Sequence, residues 1–240
     1  MCVIVFGKDV KPKDGVLEAC EDANGDGNGV AWTDGRRVFW EKGIKLDVLE
    51  KRVAEAPSWW VAHFRISTAG GKPPQLCHPF PLTPDSSIEL SGETREVLFH
   101  NGHHSRWQEQ IVETFVAKSR GRVKLPPGPW SDSRALAWLC SFGGRGMLRF
   151  AQGKFALLSP RGIRTFPDHT VSSDWTQRDG LWFSNMNWVG RYKSTKVYSG
   201  PSNARMEAMY GWCHEGECSD GEASGSGLPK TLDLSAMGGD

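Results

Sequence analysis

The chain has 240 residues, 38% of them hydrophobic and 24% charged, with 29 Lys and Arg against 28 Asp and Glu. That length and balance suit a globular chain with a sizeable core, and they exclude a disordered polymer, a basic nucleic-acid stripe and an acidic solvating block. The longest apolar runs, such as Cys2–Phe6 and Trp59–Ala62, fall far short of the roughly 20 residues that a membrane-spanning helix needs. No basic n-region precedes the first run, so a cytoplasmic setting is expected, with Cys2, Cys20, Cys77, Cys140, Cys213 and Cys218 as reduced thiols.

Taken in chain order, Cys2–Phe6 is rich in β-favouring residues, stops at Gly7 and reads as a buried strand. Residues 20–29 carry Asn-Gly, Asp-Gly and Asn-Gly in succession and read as a loop. A calcium loop of the EF-hand kind needs a Glu at its twelfth position; counted from Asp22, that position is Thr33, so no metal is expected. Val30–Trp32 and Val38–Trp40 flank Thr33-Asp34-Gly35 and predict a hairpin. Leu46–Ala56 predicts a helix stopped by Pro57, and Trp59–Ser67 a strand.

Residues 70–84 read as a Pro-rich loop, and Glu96–Phe99 as a strand running into His100-Asn101-Gly102. Ser105–Lys118 has the spacing of an amphipathic helix, and Ser131 is placed to cap a second helix that runs through Leu139 and closes at Gly143-Gly144. Met147–Leu158, Gly162–Phe166 and Leu181–Ser184 predict further strands. From Asp220 onward the chain turns polar and Gly/Ser-rich, which divides it into a domain over 1–219 and a flexible tail over 220–240. Many strands, few helices and no βαβ alternation predict an α+β fold.

Several residues carry chemistry. Cys2 follows the initiator Met, and aminopeptidases remove Met when the next side chain is small. The exposed residue would hold a thiol beside an α-amine of pKa about 8, so that one residue supplies both nucleophile and base; otherwise Cys2 is a small apolar strand residue. Arg65, between Phe64 and Ile66, needs solvent, a salt bridge or an anion, and a substrate carboxylate fits its bidentate fork. Asn101-Gly102 is either a simple turn or an oxyanion hole, with a side-chain NH2 and a closely approaching backbone N–H. Asp132 belongs to a helix-capping segment or is a carboxylate aimed at an amine. Cys213-His214-x3-Cys218 lacks the second ligand pair of a zinc site, so no metal is expected there either.

Met1-Cys2-x-Ile4, HFRIST at 63–68 with a following Gly, His78-Pro79-Phe80, His100-Asn101-Gly102, Ser131-Asp132-Ser133 and Phe183-Ser184-Asn185 occur in the order seen in class II glutamine amidotransferases, and the chain resembles that family over about residues 2–190. The family belongs to the N-terminal-nucleophile hydrolases, so the resemblance implies a four-layer αββα sandwich of two antiparallel sheets. It implies Cys2 as nucleophile, Asn101 and Gly102 as the oxyanion pair, Arg65 on the glutamine α-carboxylate, Thr68 beside the substrate and Asp132 on the α-ammonium. Glutamine is the implied substrate, with no cofactor.

The chain departs from the family pattern at Val3, Ile66, Ala69, Cys77 and Arg134, which touch the pocket wall more than the reacting groups. Only about 50 residues follow the last motif, so ammonia is expected to pass to a separate synthetase or acceptor protein. Two rivals stand beside this reading: a free-standing hydrolase of γ-glutamyl or other amides, and a catalytically silent scaffold.

Overall fold

The computed structural model describes residues 1–67, 71–114, 117, 119–120 and 122–192, without the side chains at 112 and 114. The expected tail, the 219/220 boundary and the Cys213–Cys218 cluster lie outside the described residues. Strand β1 (Val3–Lys8) is followed by helix α1 (Val16–Ala23), the hairpin β2 (Asn28–Thr33) and β3 (Val38–Ile44), helix α2 (Leu46–Glu55) and β4 (Trp59–Phe64). Then come β5 (Phe80–Pro81), β6 (Ser91–Thr94), β7 (Val97–Asn101), α3 (Trp107–Thr114), α4 (Asp132–Gly143), β8 (Lys154–Ser159), β9 (Gly162–Phe166), β10 (Thr176–Arg178) and β11 (Leu181–Phe183).

The strands form two sheets, ordered β10-β11-β1-β4-β2-β3-β6 and β5-β7-β8-β9, and every pairing in them is antiparallel. Side chains of period two assign the layers. Val3 and Val5 of β1, with Trp60, Ala62 and Phe64 of β4, pack with Leu17 of α1 and Leu49 and Val53 of α2. Ile4, Phe6 and Val61 point the other way, onto Val97 and Phe99 of β7 and Ala156 and Leu158 of β8. The far face of the smaller sheet, with Leu98, Phe155 and Leu157, packs on Leu136, Ala137 and Cys140 of α4. The result is helix, sheet, sheet, helix, the four-layer αββα order expected above.

Three local expectations need correction. Helix α1 lies where a loop was read from residue 20: it is only eight residues long, starts after Gly15 in the left-handed region at φ 81° without a side-chain cap, and is closed by Asn24 Nδ2 donating to Cys20 O at 3.0 Å. Its apolar half, with Val16, Leu17, Ala19 and Cys20 buried, outweighs the turn-prone residues behind it. Strand β4 ends at Phe64, so Arg65 lies just beyond it. The expected strand from Met147 begins only at Lys154, because Arg145–Phe150 winds into a 3₁₀ stretch and Gly153 takes φ 114°. The short strands β5, β6 and β10 carry too little apolar alternation to be visible beforehand. No helix among the described residues is long and apolar enough to cross a membrane.

Lys42 on β3 is an exception to the apolar interior. Its residue exposure is 0%, its Nζ has no hydrogen-bond partner among the described residues, and it lies 4.5 Å from the Phe80 ring centroid and 5.3 Å from that of Trp40. Burial pulls its pKa down to about 7. The unfolded chain therefore binds more protons than the folded one between about pH 7 and the free-lysine pKa of about 10.4. Lys42 penalises folding most fully at and below the lower limit, and the penalty fades as pH rises through that window. Lys42→Met is expected to raise unfolding stability at pH 7 by about 2–4 kcal/mol, with the advantage shrinking toward pH 10, as measured by denaturant titration of both proteins across that range. An advantage that grew with pH would contradict this.

Candidate active site

The register of β1 builds the site. Val3 pairs with Phe64, so one further step sets Cys2 opposite Arg65. The Cys2 thiol lies 3.4 Å from both the carbonyl oxygen and the amide nitrogen of Ile66. On the other side of Arg65, its N–H donates to Gly27 O and its carbonyl accepts from Asp26 N, each at 2.9 Å, which continues the β2–β4 pairing past the strand ends. Parity then selects the face. Cys2 shares the side of Ile4 and Phe6, Arg65 that of Val61 and His63, and Asn101 that of Val97 and Phe99, so all three belong to the space between the sheets.

His100 has the opposite parity and turns toward α4, where its Nδ1 lies 3.0 Å from Ser133 Oγ. Ser131 caps α4 by accepting from Arg134 N at 3.2 Å, and Asp132 occupies the first turn, where the helix dipole favours a carboxylate. Asp132 Oδ2 accepts from His104 N at 3.0 Å and Oδ1 from Ser133 N at 2.8 Å. The Nδ1 atoms of His100 and His103 lie 3.8 and 3.7 Å from Asp132 Oδ2.

Cys2, Arg65, Gly102 and Asp132 line one narrow cleft, together with Ile66, Leu76, His78, His100, Ser131 and Ser133. Asn101 sits in the adjoining wall rather than on the lining: its Nδ2 donates to Ser184 Oγ at 2.8 Å, and its Oδ1 is buried without a hydrogen-bond partner among the described residues. Thr68 lies outside the described residues. Arg65 is 4% exposed, with Nη2 donating to Ser67 Oγ at 3.1 Å and to Gly71 O at 2.6 Å.

The rings of His63 and His78 lie 3.9 Å apart between centroids with a 38° tilt, and both are buried. Burial drives His63 down to about 3 and His78 well below the ordinary histidine range, so both are neutral near pH 7. For Cys2, burial raises the thiol, while the Ile66 N–H, the positive amino terminus and the Arg65 guanidinium oppose that rise. The Cys20 and Cys77 thiols are also raised by burial, and Cys140 is pushed up to about 12. Among the described residues no His/Cys/Asp/Glu group is arranged to hold a metal.

Two residues to which the sequence alone assigned no role anchor the strand that carries Cys2. Asn185 Nδ2 donates to Cys2 O at 2.6 Å, and Ser184 Oγ accepts from Ile4 N at 2.9 Å. Both belong to the Phe183-Ser184-Asn185 segment, whose place after a strand was the available signal. His78 and His100, likewise without a role on sequence grounds, prove to line the cleft.

No protein-family model matches the chain, and no curated protein matches it. Among solved structures, it is similar to a glutamine phosphoribosylpyrophosphate amidotransferase from B. subtilis complexed with ADP and GMP, at 16% identity over 76% of this chain and 41% of that one, with a TM-score of 0.46. It is similar to an allosteric regulatory enzyme of purine biosynthesis at 18% identity over 69% of this chain and 35% of that one, with a TM-score of 0.42. A glutamine aminotransferase class-II domain protein from Silicibacter pomeroyi matches at 14% identity over 76% of this chain and 87% of that one, with a TM-score of 0.36. The chain thus spans well under half of the first two structures.

Gly102 is confined by its neighbours. A Cβ there would meet Gly153 Cα at 2.6 Å and His100 Nε2 at 2.9 Å. Gly102→Ala is expected to cost about 1–3 kcal/mol of stability in denaturant unfolding, because the β7–β8 junction must open to admit the methyl group. An unchanged midpoint would show that the junction is looser than the geometry requires.

Proposed function

We propose that this chain is a glutamine amidohydrolase, the ammonia-releasing component of a class II amidotransferase, acting through Cys2 as an N-terminal nucleophile. The observation that carries the reading is that the residue following Met1 lines the same cleft as Arg65, Gly102 and Asp132. Met1 itself is 76% exposed, so its removal is sterically open.

After Met1 is removed, the Cys2 α-amine takes the thiol proton, and the thiolate attacks the γ-carboxamide carbon of glutamine. Charge develops on the amide oxygen and is met by Gly102 N–H and the Asn101 amide; one such donor is typically worth about 3 kcal/mol of barrier. The amine returns its proton to the leaving nitrogen, ammonia departs and a thioester remains on Cys2. Water attacks the thioester with the amine again as base, which releases glutamate. Arg65 holds the α-carboxylate and Asp132 the α-ammonium, so an amide lacking either charge binds poorly. The ammonia passes to a separate synthetase or acceptor protein.

A second reading has its own support: Ile66 and Leu76 make one side of the cleft apolar, which fits γ-glutamyl amides with an apolar substituent on nitrogen. Ammonia release from L-glutamine by the Met1-free protein tests the main reading. Cys2→Ala is expected to abolish release, and Arg65→Lys to raise KM at least tenfold with a smaller change in kcat. Release that survives Cys2→Ala refutes the nucleophile assignment, and turnover of γ-glutamyl anilide without turnover of glutamine selects the second reading.

A further inference from the structure

Ser184 directly follows β11 and is fully buried. Its Oγ accepts from Ile4 N–H at 2.9 Å and from Asn101 Nδ2 at 2.8 Å. Its own N–H donates to Ile4 O at 2.9 Å, and its carbonyl accepts from Lys154 Nζ at 2.6 Å. One serine therefore joins the strand that carries Cys2, the end of β7 that carries Asn101, and the start of β8.

The hydrogen bonding at this junction is unbalanced. A hydroxyl has two lone pairs and one proton. Both lone pairs of Ser184 are engaged, while Asn101 Oδ1 is buried with no partner among the described residues. A buried acceptor left unmatched forfeits its hydration without return. A half-turn of the asparagine amide gives Oδ1 a partner, since the Ser184 hydroxyl donates to it and still accepts from Ile4 N–H, and it moves the NH2 group into the buried position that Oδ1 held. Both amide N–H groups of Asn101 are then left for an acceptor arriving between the sheets, on the face that Cys2 shares.

We propose that Ser184 is the positioning residue for Asn101, its hydroxyl holding the asparagine amide with the NH2 group turned toward the developing oxyanion. The inference rests on the glutamine-hydrolysing reading above. It divides the work of the Phe183-Ser184-Asn185 segment between two side chains, with Asn185 fixing the Cys2 carbonyl and Ser184 orienting the donor that faces the reaction.

A double-mutant cycle of Ser184→Ala and Asn101→Ala tests this, with kcat referred to active sites titrated by stoichiometric labelling of Cys2. Ser184→Ala is expected to lower kcat per titrated site at least tenfold with KM within about twofold, and to lower it no more than twofold further in the Asn101→Ala background. A purely structural serine would lower stability yet leave kcat per titrated site intact, or multiply with Asn101→Ala; either result overturns the proposal. Ser184→Cys, which keeps the volume with a weaker donor, serves where the alanine variant does not fold, and it is expected to lose less kcat than Asn101→Ala and to add nothing to it. If the wild-type protein releases no ammonia, the glutamine reading fails on its own. The Asn101 side-chain amide resonances then decide for Ser184: a shift on Ser184→Ala supports it and an unmoved pair overturns it.

Discussion

The whole arrangement depends on β1 being an interior strand. It lies between β4 and β11, so the first residues of the chain are hydrogen-bonded on both flanks in the middle of the larger sheet. A chain start is ordinarily a place that frays. Here Val3 to Phe6 are fully buried, Ser184 and Asn185 bind the backbone at Ile4 and Cys2, and the thiol is held over Ile66. Parity then makes position 2 an inward-facing residue between two sheets. Any shift of β1 by one residue would turn Cys2 toward α1 and α2 and put Val3 in the cleft.

Around that strand the buried polar groups are sorted by charge. His63 and His78 are kept neutral by burial, so the guanidinium of Arg65 is the cation beside the thiol in the cleft wall. Asp132 is its counterpart on the helical side, held by two backbone N–H groups and the first turn of α4. A cleft that brings together a thiol, a guanidinium and a carboxylate is the arrangement on which the proposed glutamine-hydrolysing reading rests. Cys20, Cys77 and Cys140 are buried as well, and none of them is among the residues that line the cleft.

Much of this was legible in the sequence where local chemistry and the fold agree. The Ser131 cap, the hairpin at Thr33-Asp34-Gly35, the stop at Pro57 and the inward run of β1 are decided by neighbouring residues, and the structure has them in place. Alternation along β4 and β7 would also have placed Arg65 and Asn101 on one face, had the strand ends been known. Long-range closure was not legible. Local sequence offered Arg65 a salt bridge, solvent or an anion; it did not announce that Ser67 Oγ and the carbonyl of Gly71 accept from its guanidinium. Ser184 reaches Asn101 across 83 positions, and that pairing has no trace in either local sequence. Lys42 keeps the inward parity of Val38 and Trp40 on β3, but its residue type gives no sign of a side chain with no exposure.

The central claim is that Cys2, freed of Met1, is the nucleophile of a glutamine-type site. Peptide mass spectrometry after treatment with a glutamine-shaped electrophile tests it most directly. The account predicts a protein beginning at Cys2 with one adduct on that residue, lost in Cys2→Ala and retained in Cys77→Ala. An adduct confined to another residue, or a folded protein with a free Cys2 that takes none, would contradict it.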